Sequence, residues 1–243
     1  MDRRQFHRLC SSMLAGAATL SQHAVAQTTT NQAQQYPRSR IVGTDNMPLS
    51  YQDLAVGSSL IFHYPFVTTP CFLIRLTPGE YGSASLTDKA GNDYTWQGGA
   101  GPDHSLVAFS AICTHKMSHP SKPISHLNFR TDEKEIHTRD GQKKKMNQMI
   151  MCCSEHSVYD PAEGARVISG PATQPLTAIE LEVNADGLIS ATGLYGGDMF
   201  DPFLEKFGFR LALEHSVSDV RTPAGDNTVA ISADVFSQQQ IRC

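Results

Sequence analysis

Cys113-Thr114-His115 and Cys153-Ser154-Glu155-His156 each offer one thiolate and one imidazole. Together they form a set of two cysteines and two histidines, a composition that holds either a metal ion or an iron–sulfur centre. Structural zinc sites usually pair like with like, two Cys in one turn and two His in the other, so a structural Cys2His2 zinc protein is the remote alternative. Here each turn mixes the two types. Mixed turns suit a [2Fe-2S] centre in which one iron takes both thiolates and the other both imidazoles.

Such ligands need firm elements behind them. Ser105 to Ile112 is an apolar, β-rich run ending on Cys113, and Gln148-Met149-Ile150-Met151 leads into the second turn, so both turns sit at strand ends. Short apolar runs separated by 13 prolines and 18 glycines predict turns and strands, and a chain of 243 residues, 40% hydrophobic, can bury a core without staples. Ser58 to Tyr64 and Cys71 to Leu76 read as strands, with His63 a packed strand residue. Ala178 to Val183 and Leu188 to Thr192 form a hairpin through Asn184-Ala185-Asp186-Gly187. The glycine-rich stretch 79–104 has no Gly-Lys-Ser/Thr after it and carries no phosphate-loop signal. Beyond 195, Asp201-Pro202 followed by Phe203, Leu204, Phe207 and Leu211 predicts a helix, although Phe207 to Leu213 also alternates as a strand would.

The order of the two ligand turns, Val158-Tyr159-Asp160-Pro161 and the Gly170-Pro171 loop resembles the Rieske family over roughly residues 55–195. Phe62-His63-Tyr64-Pro65, Pro70-Cys71 and Gly98 to Asp103 are similar to the small subunit of arsenite oxidases, a periplasmic branch of that family. The resemblance implies an all-β chain, a Rieske-type antiparallel sandwich or barrel with a smaller cluster-binding subdomain. The Rieske domain would span 41–195, its cluster-binding part 109–172, and a C-terminal extension 196–243. It implies a Rieske [2Fe-2S] cluster held by Cys113, His115, Cys153 and His156, with no catalytic residue of the chain's own. With two imidazole ligands the potential falls in the window of roughly −150 to +300 mV.

An electron-transfer subunit follows from the same resemblance. Its partners would be a large catalytic subunit, molybdopterin-containing and arsenite-oxidase-like, and a soluble acidic redox protein such as a cytochrome c; nucleic acid has no part. The alternatives are a stand-alone carrier or a quinol-oxidising subunit. Ser157 and Tyr159 are the candidates for hydrogen bonds to cluster sulfur, each displaced by one residue from the family's usual spacing. Relatives in cytochrome bc-type complexes tie the two turns by a disulfide at positions that here are Ser118 and Glu155, so that bridge is expected to be absent. Glu155 would instead place a negative charge near the cluster. Cys71, Cys152 and Cys243 are left with no assigned pair.

Two segments stand apart. Asp2-Arg3-Arg4-Gln5-Phe6, a mildly apolar Leu9–Leu20 and Ala24-Val25-Ala26 predict a twin-arginine signal over 1–26, export in folded form and a periplasmic product. An uncleaved leader acting as an anchor is the less favoured outcome, and 27–40 reads as a flexible, polar leader. The segment Lys116 to Cys152 is longer than family members use between their ligand turns. It is net basic on a chain of net charge −4, and Asp140-Gly141 marks a hairpin turn within it. Lys143-Lys144-Lys145 would make this insertion either a solvated decoration or a docking element for an acidic partner. His119, His126 and His137 read as surface histidines.

Overall fold

A computed structural model describes residues 32–79, 81–197 and 199–243, so the twin-arginine segment and the start of the leader lie outside the described residues. The strands in chain order begin with β1 (Gln34–Val42), β2 (Ser59–His63), β3 (Pro70–Arg75), β4 (Ala84–Thr87), β5 (Asp93–Trp96) and β6 (Leu106–Ser110). The segment after the first ligand turn adds β7 (Ile124–Ser125), β8 (Leu127–Arg130), β9 (Lys134–His137), β10 (Lys143–Met146) and β11 (Met149–Cys152). After the second turn come β12 (Ser157–Asp160), β13 (Arg166–Ser169), β14 (Ala178–Val183) and β15 (Ile189–Tyr195). The helix Phe200–His215 follows, then β16 (Asn227–Val229), β17 (Ile231–Ser232) and β18 (Gln239–Gln240).

The main sheet runs β16-β1-β15-β14-β6-β3-β2-β17, and its central strands are buried on both faces. Strand period sorts their side chains: Phe72, Ile74, Val107 and Phe109 enter one core, while Cys71, Leu73, Leu106 and Ala108 enter the other. A smaller four-stranded sheet, β13-β12-β11-β8, carries the second ligand turn. The expected all-β architecture with a smaller subdomain is therefore present.

The polar leader ends earlier than the sequence suggests. β1 pairs antiparallel with β15, from Gln34 opposite Leu194 to Arg40 opposite Ser190, and parallel with β16. Gln34, Gln35, Arg38 and Arg40 are exposed while Ser39, Ile41 and Val42 are buried, and the strand pairs with β15 from Gln34 and with β16 over its last three residues. Polarity here reports a wet face, not disorder.

The C-terminal extension is helical where the pattern was ambiguous. Phe200, Phe203, Leu204 and Leu211 recur at helical spacing and pack into the second core, and exposed Phe209 and Leu213 produced the false alternation. The helix also overturns the surface reading of His119, whose ring stands edge-on to Phe203 at 4.9 Å and Phe207 at 5.2 Å. His63 is packed as expected, 5.0 Å from His215 ring to ring, and burial holds its pKa down to about 3. Among the described residues no helix is long and apolar enough to cross a membrane.

The insertion is ordered throughout. β9 and β10 pair as a hairpin around Asp140-Gly141, and Ile136 and Met146 seal it onto Met149, Met151 and Val158 in a small core of its own. The three lysines are locally balanced: Lys143 meets Glu135 at 2.8 Å, Lys144 meets Asp160 at 3.6 Å, and Lys145 meets Glu133 at 3.4 Å. Their charge is thus largely offset within the subdomain. That removes much of the case for a free basic docking patch.

Candidate metal centre

The first ligand turn is closed on itself, the Cys113 N–H donating to the Ser118 carbonyl and the Met117 N–H to the Cys113 carbonyl, each at 2.8 Å. Cys113 is fully buried and His115 half-buried. The second turn leaves β11 at Cys152 and re-enters the sheet at Ser157, these two residues facing each other across the β11–β12 ladder. His156, at the turn, is exposed and sits at φ +56°. Gly170 lies directly on this turn: a Cβ there would stand 2.4 Å from the His156 carbonyl oxygen and 2.6 Å from the Ser157 Cα, so the close approach requires glycine.

The structure departs from the expected ligand set at Cys153. Its sulfur is bonded to that of Cys243, 90 residues on, with the two Cα atoms 5.5 Å apart. A sulfur in a disulfide is no thiolate and cannot ligate iron as one. The reason lies in the strand. Along β11 the side chains alternate, Met149 and Met151 entering the hairpin's core while Ile150 and Cys152 enter the main core that also holds Cys113 and Tyr159. Cys152 therefore reaches the first ligand turn, and the next residue points away from it toward the C-terminal tail. That tail lies along β7 through the β18 pairing, with the Gln238 N–H on the Lys122 carbonyl and the Ile241 N–H on the Ser125 carbonyl, both at 2.8 Å.

Cys113 and Cys152 are buried in the same core, near enough for each thiol to act on the other's titration. That proximity holds the Cys113 thiol below its ordinary range against the opposing effect of burial, helped by the Tyr159 hydroxyl and the N–H groups of His115 and Lys116. It pushes the Cys152 thiol up, as burial also does, while the N–H groups of Ser154 and Glu155 act the other way. Two sulfurs, each approached by backbone donors, make a site suited to two thiolates. The Tyr159 hydroxyl lies 3.3 Å from the Cys113 sulfur and accepts the Thr114 N–H at 3.1 Å, which leaves its own proton available to the sulfur.

Nδ1 of His115 is buried and has no hydrogen-bond partner. A buried imidazole nitrogen with no hydrogen bond, two residues along the chain from the buried Cys113 thiol, has the chemistry of a ligand, and the residues fit a two-thiolate, two-imidazole group. Among the described residues no three His, Cys, Asp or Glu converge on one point. They need not, because each iron of such a centre takes only two protein ligands.

Neither Ser118 nor Glu155 is half of a disulfide. The carboxylate of Glu155 instead reaches across to the first turn, 3.1 Å from the Lys116 ammonium and 3.7 Å from His115 Nδ1. An ion pair thus joins the two turns, and Lys116 offsets the negative charge expected near the site. Cys71 remains a buried thiol that donates to the Tyr64 carbonyl at 3.2 Å.

No family model matches the chain. It is 31% identical over 202 residues to the iodate reductase subunit IdrB of Pseudomonas sp. strain SCT, a match covering 82% of this chain and 83% of that protein. It is 30% identical over 161 residues to the cytochrome bc1 complex Rieske iron–sulfur subunit of Streptomyces lividans, covering 61% of this chain and 75% of that one. Among solved structures, the soluble domain of Rieske protein II (soxF) from Sulfolobus acidocaldarius superposes with a TM-score of 0.44 at 24% identity, over 68% of this chain and 82% of its own. Sequence identity sustained over most of both chains shows common descent as well as a common architecture, and the chain belongs to the Rieske iron–sulfur subunits, electron-transfer proteins that carry a Rieske [2Fe-2S] cluster.

Proposed function

We propose that this chain is the electron-transfer subunit of an oxidoreductase and that Cys113, Cys152, His115 and His156 hold its cluster, the cysteines on one iron and the histidines on the other. When bound, the cluster supplies a one-electron relay. The observation that carries the ligand set is the pair of thiols of Cys113 and Cys152 buried in one core, together with a His115 Nδ1 that makes no hydrogen bond. Cys113 and Cys152 anchor the group from strand ends, and backbone N–H groups donate toward both sulfurs. His115 and His156 are the exposed side of the set, where a redox partner can approach.

The partner is a separate catalytic subunit. The iodate reductase relative is itself named as a subunit, and the arsenite-oxidase resemblance of Phe62-His63-Tyr64-Pro65 and the 98–103 loop favours a large molybdopterin protein acting on a small oxyanion. A soluble acidic protein such as a cytochrome c is the proposed second partner. Arg3-Arg4 and Ala24-Val25-Ala26 support export already folded to the periplasm, which suits a cofactor inserted beforehand. A quinol-oxidising assembly is the second reading, favoured by the bc1 relative.

Purification with whatever binds it tests this directly. Two irons and two acid-labile sulfides per chain, a rhombic Rieske-type EPR signal on reduction and a co-purifying large subunit are expected. Zinc in place of iron overturns the assignment. Tyr159→Phe is a finer test. Losing a donor to the Cys113 sulfur disfavours the reduced, more negative state, so the potential should fall by roughly 50 mV, about a tenfold change in the one-electron equilibrium. Voltammetry of the variant beside the parent checks it; a rise would show that the hydroxyl proton points elsewhere.

A further inference from the structure

The insertion hairpin lies against the loop that rests on the second ligand turn. At its tip the Arg139 guanidinium donates from Nη2 and Nε to the Gly170 carbonyl, at 2.9 and 3.3 Å, and from Nη2 to the Ala172 carbonyl. The Arg139 N–H donates to the Ile168 carbonyl at 3.1 Å, and the Ser169 hydroxyl donates back to the His137 carbonyl at 2.6 Å. On its other side the same loop meets the ligand turn, the Ala172 N–H donating to Ser157 Oγ at 3.1 Å and Gly170 lying on the His156 carbonyl. Residues 170–172 are thus held between the hairpin and the His156 turn.

We propose that Arg139 is a positioning residue, and that the insertion exists to press the Gly170-Pro171-Ala172 loop down on the cluster-binding turn. The hairpin is fit for this because its base is fixed. Ile136 and Met146 pack on Met149, Met151 and Val158, and the Lys144–Asp160 pair ties it to β12. A planar guanidinium spanning two carbonyls two residues apart fixes their spacing as well as their distance, which a lysine ammonium does not. Three donor contacts from one charged group to a loop that Gly170 leaves free to bend set how often the loop lifts and admits water to the site. The consequence for the cluster rests on the ligand reading above; the clamp itself does not.

The test uses the full chain as isolated, with Arg139→Gln, Arg139→Lys and, as a control on the same hairpin, Lys145→Gln, whose only ion pair among the described residues is the exposed one with Glu133. Hydrogen exchange is followed over 166–173 and 153–160, together with bleaching of the cluster absorbance by a ferrous-iron chelator. Arg139→Gln should speed exchange of the loop amides roughly tenfold or more, the scale of a lost charge-assisted hydrogen bond, and should speed bleaching in parallel. Arg139→Lys should recover part of both, and Lys145→Gln should leave the loop amides as in the parent. Unchanged loop exchange in Arg139→Gln overturns the clamp, as does an equal effect of Lys145→Gln. Faster exchange without faster bleaching overturns the link to the site. A parent that holds no iron sinks the proposed function instead, and the exchange data then judge the clamp alone.

Discussion

Cys152→Ser abolishes the visible absorbance and EPR signal of the cluster, whereas Cys153→Ser keeps both: this is the largest difference expected between two neighbouring substitutions in the chain. The first removes one of two thiols buried together in the main core. A serine there offers a hard oxygen in place of a soft sulfur and leaves one iron short of a ligand. The second substitution removes a sulfur already bonded to Cys243. Iron and sulfide analysis of the two purified variants decides it. Loss of iron in Cys153→Ser with a normal cluster in Cys152→Ser would restore the ligand set expected from the sequence.

The second large effect is on stability. Cys243→Ser should unfold roughly 10–15 °C below the parent, because a bridge closing a loop of this length restrains the unfolded chain by about 4–5 kcal/mol and each kcal/mol moves a chain of this size by about 2–4 °C. Cys153→Ser should fall by the same amount. The double variant should fall no further, since either single change already opens the loop. Calorimetry of the three proteins measures the whole cycle. Additive losses would show that the two sulfurs act separately, with no bond between them.

The pair of variants also bears on what could be read from residues alone. The mixed Cys and His turns, their placement at strand ends, the β14–β15 hairpin and the Asp140-Gly141 turn were all legible, because each is a local pattern of spacing and turn chemistry. The Cys153–Cys243 bond, which moves the proposed ligand to Cys152, was not, for it depends on which face of β11 each side chain takes. A signal was nonetheless present. Ile150 and Cys152 alternate with Met149 and Met151, and counted from Cys152 the one-residue displacement passes from Ser157 and Tyr159 to His156. Cys243 could not be identified as the mate of Cys153, because a pairing across 90 residues is a property of the fold and leaves no local pattern. The insertion misled through composition, for its lysines look free in a sequence and are matched to Glu133, Glu135 and Asp160 only when the hairpin forms.

β1 draws a boundary on maturation. A strand paired on one side with β15 and on the other with β16 forms part of the sheet's internal bonding, so removing it would strip backbone partners from both neighbours and open the sheet there. Any protease that trims this protein without unfolding it must stop ahead of Gln34. A cut after Ala26 meets that condition and leaves a short polar run before the first paired residue, whereas a cut a dozen residues later would release a chain with an open, sticky flank beside β15. Where the chain may be shortened is therefore dictated by the sheet as well as by a recognition sequence.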